Sequence, residues 1–221
     1  MRPGSVTLLL ASASPARLAT LRRAGLRPLV RVSSVDEEAA VAAAEGDAGP
    51  LDAADVALLL ARAKAEDVLA VLDAEGDGAA DLVLGCDSVL ELDGEVHGKP
   101  VDAAEATARW RRMRGRSGTL HTGHWLVDRR EDADGGSGGL VGATASTVVH
   151  FADLGDDEVE AYVATGEPLR VAGAFTIDGL GGPFVAGIEG DPSNVVGISL
   201  PLLRELVVEL GLAWHDLRAG D

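Results

Sequence analysis

The chain has 221 residues, is 47% apolar but only 3% aromatic, and carries a formal charge of −17. That composition supports a core of Leu, Val and Ala, and it excludes a broad nucleic-acid or anionic-membrane surface, which needs clustered excess Lys and Arg. The single cysteine, Cys86, excludes an internal disulfide, and without a Cys pair or His cluster no structural zinc site is expected, so the cytosol is the expected compartment.

Residues 6–10 predict a buried strand that runs through Ser12 and Ser14 into a helix opened by Pro15. Proline suits the first helical position and Ser14 is a natural N-cap. The free amides of such a turn, the positive helix end and Arg17 one turn in suit a phosphate, although an ordinary capped helix reads the same way. Arg2 and the apolar run before Ala11-Ser12-Ala13 resemble a secretory leader. The run is about five residues where a leader needs roughly 7–15, and Pro3 and Gly4 interrupt its start, so none is expected. No stretch is long enough to span a bilayer.

Leu18, Leu21 and Ala24 put an apolar stripe on the first helix, Gly25 closes it, and residues 29–32 follow as a strand, completing a β-α-β unit. Residues 33–38 then collect hydroxyls and acids at a strand end, where open α/β proteins place ligand groups; acids opening a helix look alike. Beyond Gly49-Pro50, residues 53–72 predict a long helix with Lys64 at the margin of its apolar face. Residues 82–84 read as a strand and 85–88 as a connection that leaves Asp87 at a strand terminus. Residues 89–92 resume a strand, and Asp93-Gly94 predicts a hairpin that returns 95–97. Asp102 and Glu105 form a capping-box pattern for an Arg-rich helix to about residue 114.

Long strands are expected at 120–128 and 140–151, joined by an acidic, Gly-rich and mobile tip at 131–139. A helix at 156–165, a strand at 183–188 and a last helix opened by Ser199 and Pro201 complete the chain, with no internal repeat. Together these predict an α/β fold: a mixed, partly antiparallel sheet flanked by helices, in two lobes around a cleft.

Of the 19 basic residues only Lys64 and Lys99 are lysines. Lysine is a compact, rotatable three-donor charge suited to phosphate oxygens, which invites a specific reason for both, although two chance surface lysines read the same way. With Asp36 and Glu37, Asp87 has the chemistry to hold a divalent cation that bridges phosphates, or to orient an attacking water by itself. Other templates fail. Gly98-Lys99 lacks the P-loop spacing, the first turn has serines where a dinucleotide fingerprint needs glycines, no G-x-S-x-G elbow occurs, and the five histidines lack metal-ligand spacing. Trp110, Trp125 and Trp214 offer stacking faces for a base, but read first as packing residues.

Several segments occur in one order: LLLASASPARLATLRRAGL, SSVDEE, LARAKA, GCDSVLELDGEVHGKP, GRSGTLHTG, YVATGEPLRVAGAFTIDGLGG and EGDPSNVVGISLPLL. In these the chain resembles the Maf (septum formation inhibitor-like) nucleoside triphosphate pyrophosphatases along nearly its whole length, as one Maf-like domain over 1–221 with a Maf/inosine triphosphatase-like fold. The resemblance implies hydrolysis of the α–β phosphoanhydride of a nucleoside triphosphate with a divalent cation, Mg²⁺ or Mn²⁺. It implies that Ser12, Ser14 and Arg17 meet the substrate, that Lys64 and Lys99 bind the triphosphate, that Asp36 and Asp87 hold the metal, and that Asp87 activates water. A homodimer is also implied.

Two departures stand out. The family usually has two arginines after Ser-Pro, and here Ala16 takes the first place, leaving a contact missing or supplied elsewhere, with Arg116 as one source. Many members have Gln where this chain has Asp178. Gln meets a pyrimidine edge, whereas ionised Asp only accepts, so Asp178 points to guanine-type bases such as 7-methylguanine, or to broad specificity. The alternatives are a dTTP/UTP pyrophosphatase and a non-catalytic nucleotide-binding regulator of cell division.

Overall fold

One strand occupies residues 82–92, where the sequence predicts two strands and a connection. In the computed structural model, which describes residues 6–218, β1 (Leu8–Ala11), α1 (Pro15–Arg23), β2 (Leu29–Val30), α2 (Glu37–Ala48) and α3 (Ala53–Glu75) precede this strand, β3 (Leu82–Leu92). After it come β4 (Glu95–His97), α4 (Ala103–Met113), β5 (Ser117–Asp128), β6 (Leu140–Phe151), α5 (Asp156–Ala164), β7 (Val185–Glu189), α6 (Pro192–Val196) and α7 (Leu200–Glu209). Arg2, Pro3 and Gly4, which bear on a leader, lie outside the described residues.

The sheet runs β2-β1-β3-β5-β6-β7, with β4 paired to the far end of β3. β1 lies parallel to β2 and β3, and the remaining pairs are antiparallel. The fold is therefore α/β with a mixed, partly antiparallel sheet and helices against it, as the sequence predicts. Asp93 (φ 59°) and Gly94 (φ 76°) make the predicted tight hairpin, since two successive positive φ angles match the twist of the strands they join. The tip at 131–139 carries a short 3₁₀ turn at Asp132–Asp134, and Ser137 donates to Asp128 through both N–H (2.8 Å) and hydroxyl (2.8 Å).

Asp87 is not at a strand terminus. It lies inside β3, opposite Gly123 of β5. Gly85 marks a close helix contact and not a turn: a Cβ there would sit 2.0 Å from the Ala61 carbonyl oxygen of α3, and one at Gly123 would sit 2.2 Å from that of Ala57. Asp87 nonetheless lies just past the end of the parallel pairing, because β1 reaches only to Ala11, opposite Gly85.

Two cores load opposite ends of β3. Leu82 and Leu84 pack with Leu10, Leu21, Leu203 and Leu206, while Leu90 and Leu92 pack with Trp110, Phe151 and Tyr162. Trp110 is fully buried, meets Tyr162 edge to face at 5.5 Å, and donates Nε1–H to the Ala174 carbonyl at 2.8 Å. Asp87 lies between these cores along the strand.

His124, fully buried on β5, ties the sheet to α7. Its Nε2 accepts the Ser199 N–H at 2.9 Å and its Nδ1 lies 3.0 Å from the Thr122 carbonyl, so the neutral Nδ1–H tautomer satisfies both. Burial pushes its pKa down from 6.5 to about 4. The unfolded chain therefore takes up this proton first. The stabilisation is complete above pH 6.5 and falls by up to about 3 kcal/mol as the pH drops towards 4. Urea unfolding from pH 7.5 to 4.5 should show this slope in the native chain and a flatter one in His124→Gln; equal slopes would refute the assignment.

Candidate functional site

A cavity of about 730 Å³ opens where the β1–α1 turn, α2, α3, the middle of β3 and segment 170–178 meet. That volume is in the range of small-molecule sites. Ser12, Ser14, Arg17, Lys64, Asp87, Lys99 and Asp178 all line it, so the fold brings together seven of the sequence-predicted residues. Among the described residues, no helix is long and apolar enough to cross a membrane.

Its floor is an ion cluster. Lys64 Nζ is bonded to Asp87 Oδ1 and lies 2.7 Å from Glu37 Oε1. The side chains of Lys64 and Asp87 are 11% and 10% exposed, so both charges are largely withdrawn from water. Burial pushes the Asp87 carboxyl above its ordinary value, while Lys64 and Arg17 pull it back. A carboxylate raised in this way beside a fixed cation is suited to accept a proton.

Arg17 is buried and already engaged. Nε donates to the Gly197 carbonyl (2.7 Å), Nη1 to Ser12 Oγ (3.0 Å) and the Cys86 carbonyl (2.8 Å), and Nη2 to Ser88 Oγ (2.9 Å). Ser14 caps α1 by accepting the Arg17 N–H at 3.3 Å, with Pro15 at the first helical position. The guanidinium thus fastens this helix start to β3 and α6 while leaving its charge beside the cavity. Lys99 lies at the mouth in turn 98–101, exposed and without an ion-pair partner among the described residues.

Asp36 is placed differently. It is the N-cap of α2, accepts the Ala39 N–H at 3.0 Å, and does not line the cavity; Glu37 and Glu38 do. The cap turns its side chain back onto the helix, and the next residue faces Lys64. Arg116 is not a source for the contact missing at Ala16: its guanidinium is paired with Asp93 at the β3–β4 hairpin, outside the cavity. Arg170, on a 3₁₀ turn at Pro168–Arg170, lines the cavity instead. None of the three tryptophans lines it, whereas Phe175 does; Trp125 lies under the Arg62 guanidinium at 5.2 Å.

Sequence reasoning also missed Glu167, which shapes the loop that carries Asp178. Its Oε1 accepts from Tyr162 Oη (2.8 Å), Thr176 Oγ1 (2.7 Å) and Gly181 N (2.9 Å), and its Oε2 from Leu180 N (2.9 Å). Burial pushes this carboxyl up, but the donors outweigh it and hold it below its ordinary value. A Cβ at Gly179 would lie 2.4 Å from Glu167 Oε2, so a side chain after Asp178 would have to displace the Glu167 carboxylate.

Among the described residues, no three His, Cys, Asp or Glu side chains form a ready-made metal cluster. The oxygen donors of Asp87 and Glu37 still suit a hard divalent cation, which typically takes one or two carboxylates and completes its shell with substrate phosphates and water. Both carboxylates already converge on one ammonium group, so the position favours positive charge.

A family model described as Maf-like protein matches residues 7–210. The chain is 56% identical over 215 residues to a protein of Leifsonia xyli subsp. xyli, with 96% of this chain and 98% of that one covered. It is 56% identical over 212 residues to one of Streptomyces coelicolor, covering 96% and 94%, and 58% identical over 205 residues to one of Salinispora tropica, covering 93% and 84%. Each of the three is named nucleoside triphosphate pyrophosphatase.

Proposed function

Because the chain belongs to the Maf family, we propose that the cavity is the active centre of a nucleoside triphosphate pyrophosphatase that cleaves the α–β phosphoanhydride. The observation that carries this reading is the buried Lys64–Asp87 pair in one cavity with Lys99. A site that only bound nucleotides would need the two lysines but not a carboxylate with a raised pKa.

In the proposed reaction Asp87 accepts a proton from water as the water oxygen attacks the α-phosphorus. The bond from that phosphorus to the bridging oxygen breaks, and the bridging oxygen leaves with the β-phosphate as pyrophosphate. Lys64 and Lys99 neutralise the charge that grows on the triphosphate, and the helix start held by Ser14 and Arg17 offers a further positive pole. Arg170 supplies a guanidinium in place of the one absent at Ala16. Asp87 and Glu37 would hold Mg²⁺ or Mn²⁺, which when bound supplies Lewis acidity and charge neutralisation. The single-domain organisation and the homodimer belong to the same proposal and rest on the family resemblance.

For the base, Asp178 favours an edge that donates. Guanine presents N1–H and N2–H₂, and 7-methylguanine adds positive charge; thymine and uracil present one N–H between two carbonyls. With a panel of canonical and modified nucleoside triphosphates, the native chain is expected to rank guanine-type substrates, 7-methyl-GTP among them, above dTTP and UTP, measured as pyrophosphate released. Asp178→Gln is expected to move the order towards the pyrimidines by about tenfold. An unchanged rank order would remove Asp178 from base recognition, and an absence of turnover with every nucleotide would overturn the reaction itself.

A further inference from the structure

We propose that Arg109, outside the cavity, is a positioning residue for Lys99, part of a two-point clamp that sets where this lysine meets the triphosphate. The proposal rests on the phosphate-binding role given above to Lys99.

Arg109 is only 5% exposed and shares the buried face of α4 with Ala106, Trp110 and Met113. A buried guanidinium needs its donors satisfied, and its partners are specific. Nη2 is paired with Glu105 one turn earlier, and Nη1 donates to the Gly98 carbonyl at 2.6 Å. Glu105 completes the grip, since its Oε2 accepts the Val101 N–H at 2.8 Å. One i,i+4 pair therefore holds turn 98–101 at both ends. Lys99 is left between the two holds, beside Pro100, whose ring removes a further backbone freedom.

The clamp is also indexed to the rest of the site. The Gly98 carbonyl accepts a second donor, the Gly173 N–H, at 3.0 Å. Gly173 packs against β3 so closely that a Cβ there would lie 2.8 Å from Cβ of Leu90, and its positive φ of 70° suits glycine. Through this carbonyl the Lys99 turn is set relative to the strand that carries Asp87 and to the segment that carries Phe175 and Asp178. A buried charge spent on one backbone oxygen of a lysine-bearing turn has the form of a device for placing that lysine.

The test compares native protein, Arg109→Met, Lys99→Ala and the double variant, using calorimetric binding of inorganic tripolyphosphate alongside steady-state kinetics. Arg109→Met is expected to weaken tripolyphosphate binding and raise KM by about tenfold, with kcat changed much less, because misplacing a contact group loses part of its interaction. In the Lys99→Ala background the same change should cost less than about twofold, the coupling expected of residues that act as one unit. Arg109→Lys, which keeps one donor, should recover part of the loss. Glu105→Gln, a milder change, should show a smaller loss with the same coupling, and serves if Arg109→Met does not fold. Equal losses with and without Lys99, or unchanged tripolyphosphate affinity, would overturn the proposal even in an active enzyme. Coupling seen in tripolyphosphate binding without turnover of any nucleotide would sustain it while overturning the proposed reaction.

Discussion

Replacing Asp87 with Asn is expected to lower turnover by about a thousandfold while changing nucleotide affinity by less than about threefold. Asn keeps the size of the side chain and an oxygen near Lys64, but it cannot take up a proton. The carboxyl is buried on β3 and raised above its ordinary value by that burial, with Lys64 opposing. Removing its charge therefore removes the base without opening a void. Lys64 keeps Glu37 at 2.7 Å, so the ammonium is not left without a counter-charge. Single-turnover rates and equilibrium binding, measured together, separate the two effects. A variant that retains more than a tenth of the native rate would assign the proton transfer elsewhere.

Gly123→Ala should unfold the molecule more readily by about 3 kcal/mol or more, and cut the remaining activity beyond the loss of folded protein. The added Cβ would lie 2.2 Å from the Ala57 carbonyl oxygen, 2.4 Å from its carbon and 2.6 Å from Cα of Leu58, all backbone atoms of α3. No rotamer change relieves such a contact, so the helix must lift from the sheet. The same helix carries Lys64 down to Asp87, and Gly85 makes the matching contact one strand over, 2.0 Å from the Ala61 carbonyl oxygen. Close packing and catalytic geometry thus depend on one helix–sheet distance. Gly46→Ala is the control, since a Cβ there meets nothing within 4 Å and Ala favours the helix interior. Urea midpoints should move in opposite directions for the two variants.

Features written in local chemistry were legible in the sequence. The Asp93-Gly94 hairpin, the Ser14 cap and the last helix behind Ser199 each follow from a few neighbouring residues, and each stands in the structure. The two lysines stood out because arginine is used everywhere else, and both line the cavity. What failed was position at the scale of one residue or one contact. Glycine marks turns and close approaches alike, so Gly85 hid the continuity of β3. Asp36 and Glu37 are chemically equivalent neighbours, and only the cap geometry decides which one faces Lys64. Glu167 reaches Thr176 and Gly181 across a loop and Arg109 reaches the Gly98 carbonyl 11 positions back, contacts that no local motif records, and Arg170 meets the cavity only through the fold of its segment.

The most direct test of the central claim is the identity of the phosphate product when purified protein turns over a nucleoside triphosphate in Mg²⁺ or Mn²⁺. The account predicts pyrophosphate and nucleoside monophosphate in equal amounts, without orthophosphate, and both products formed about a thousandfold more slowly by Asp87→Asn. Orthophosphate with nucleoside diphosphate, or an Asp87→Asn variant as active as the native chain, would contradict it.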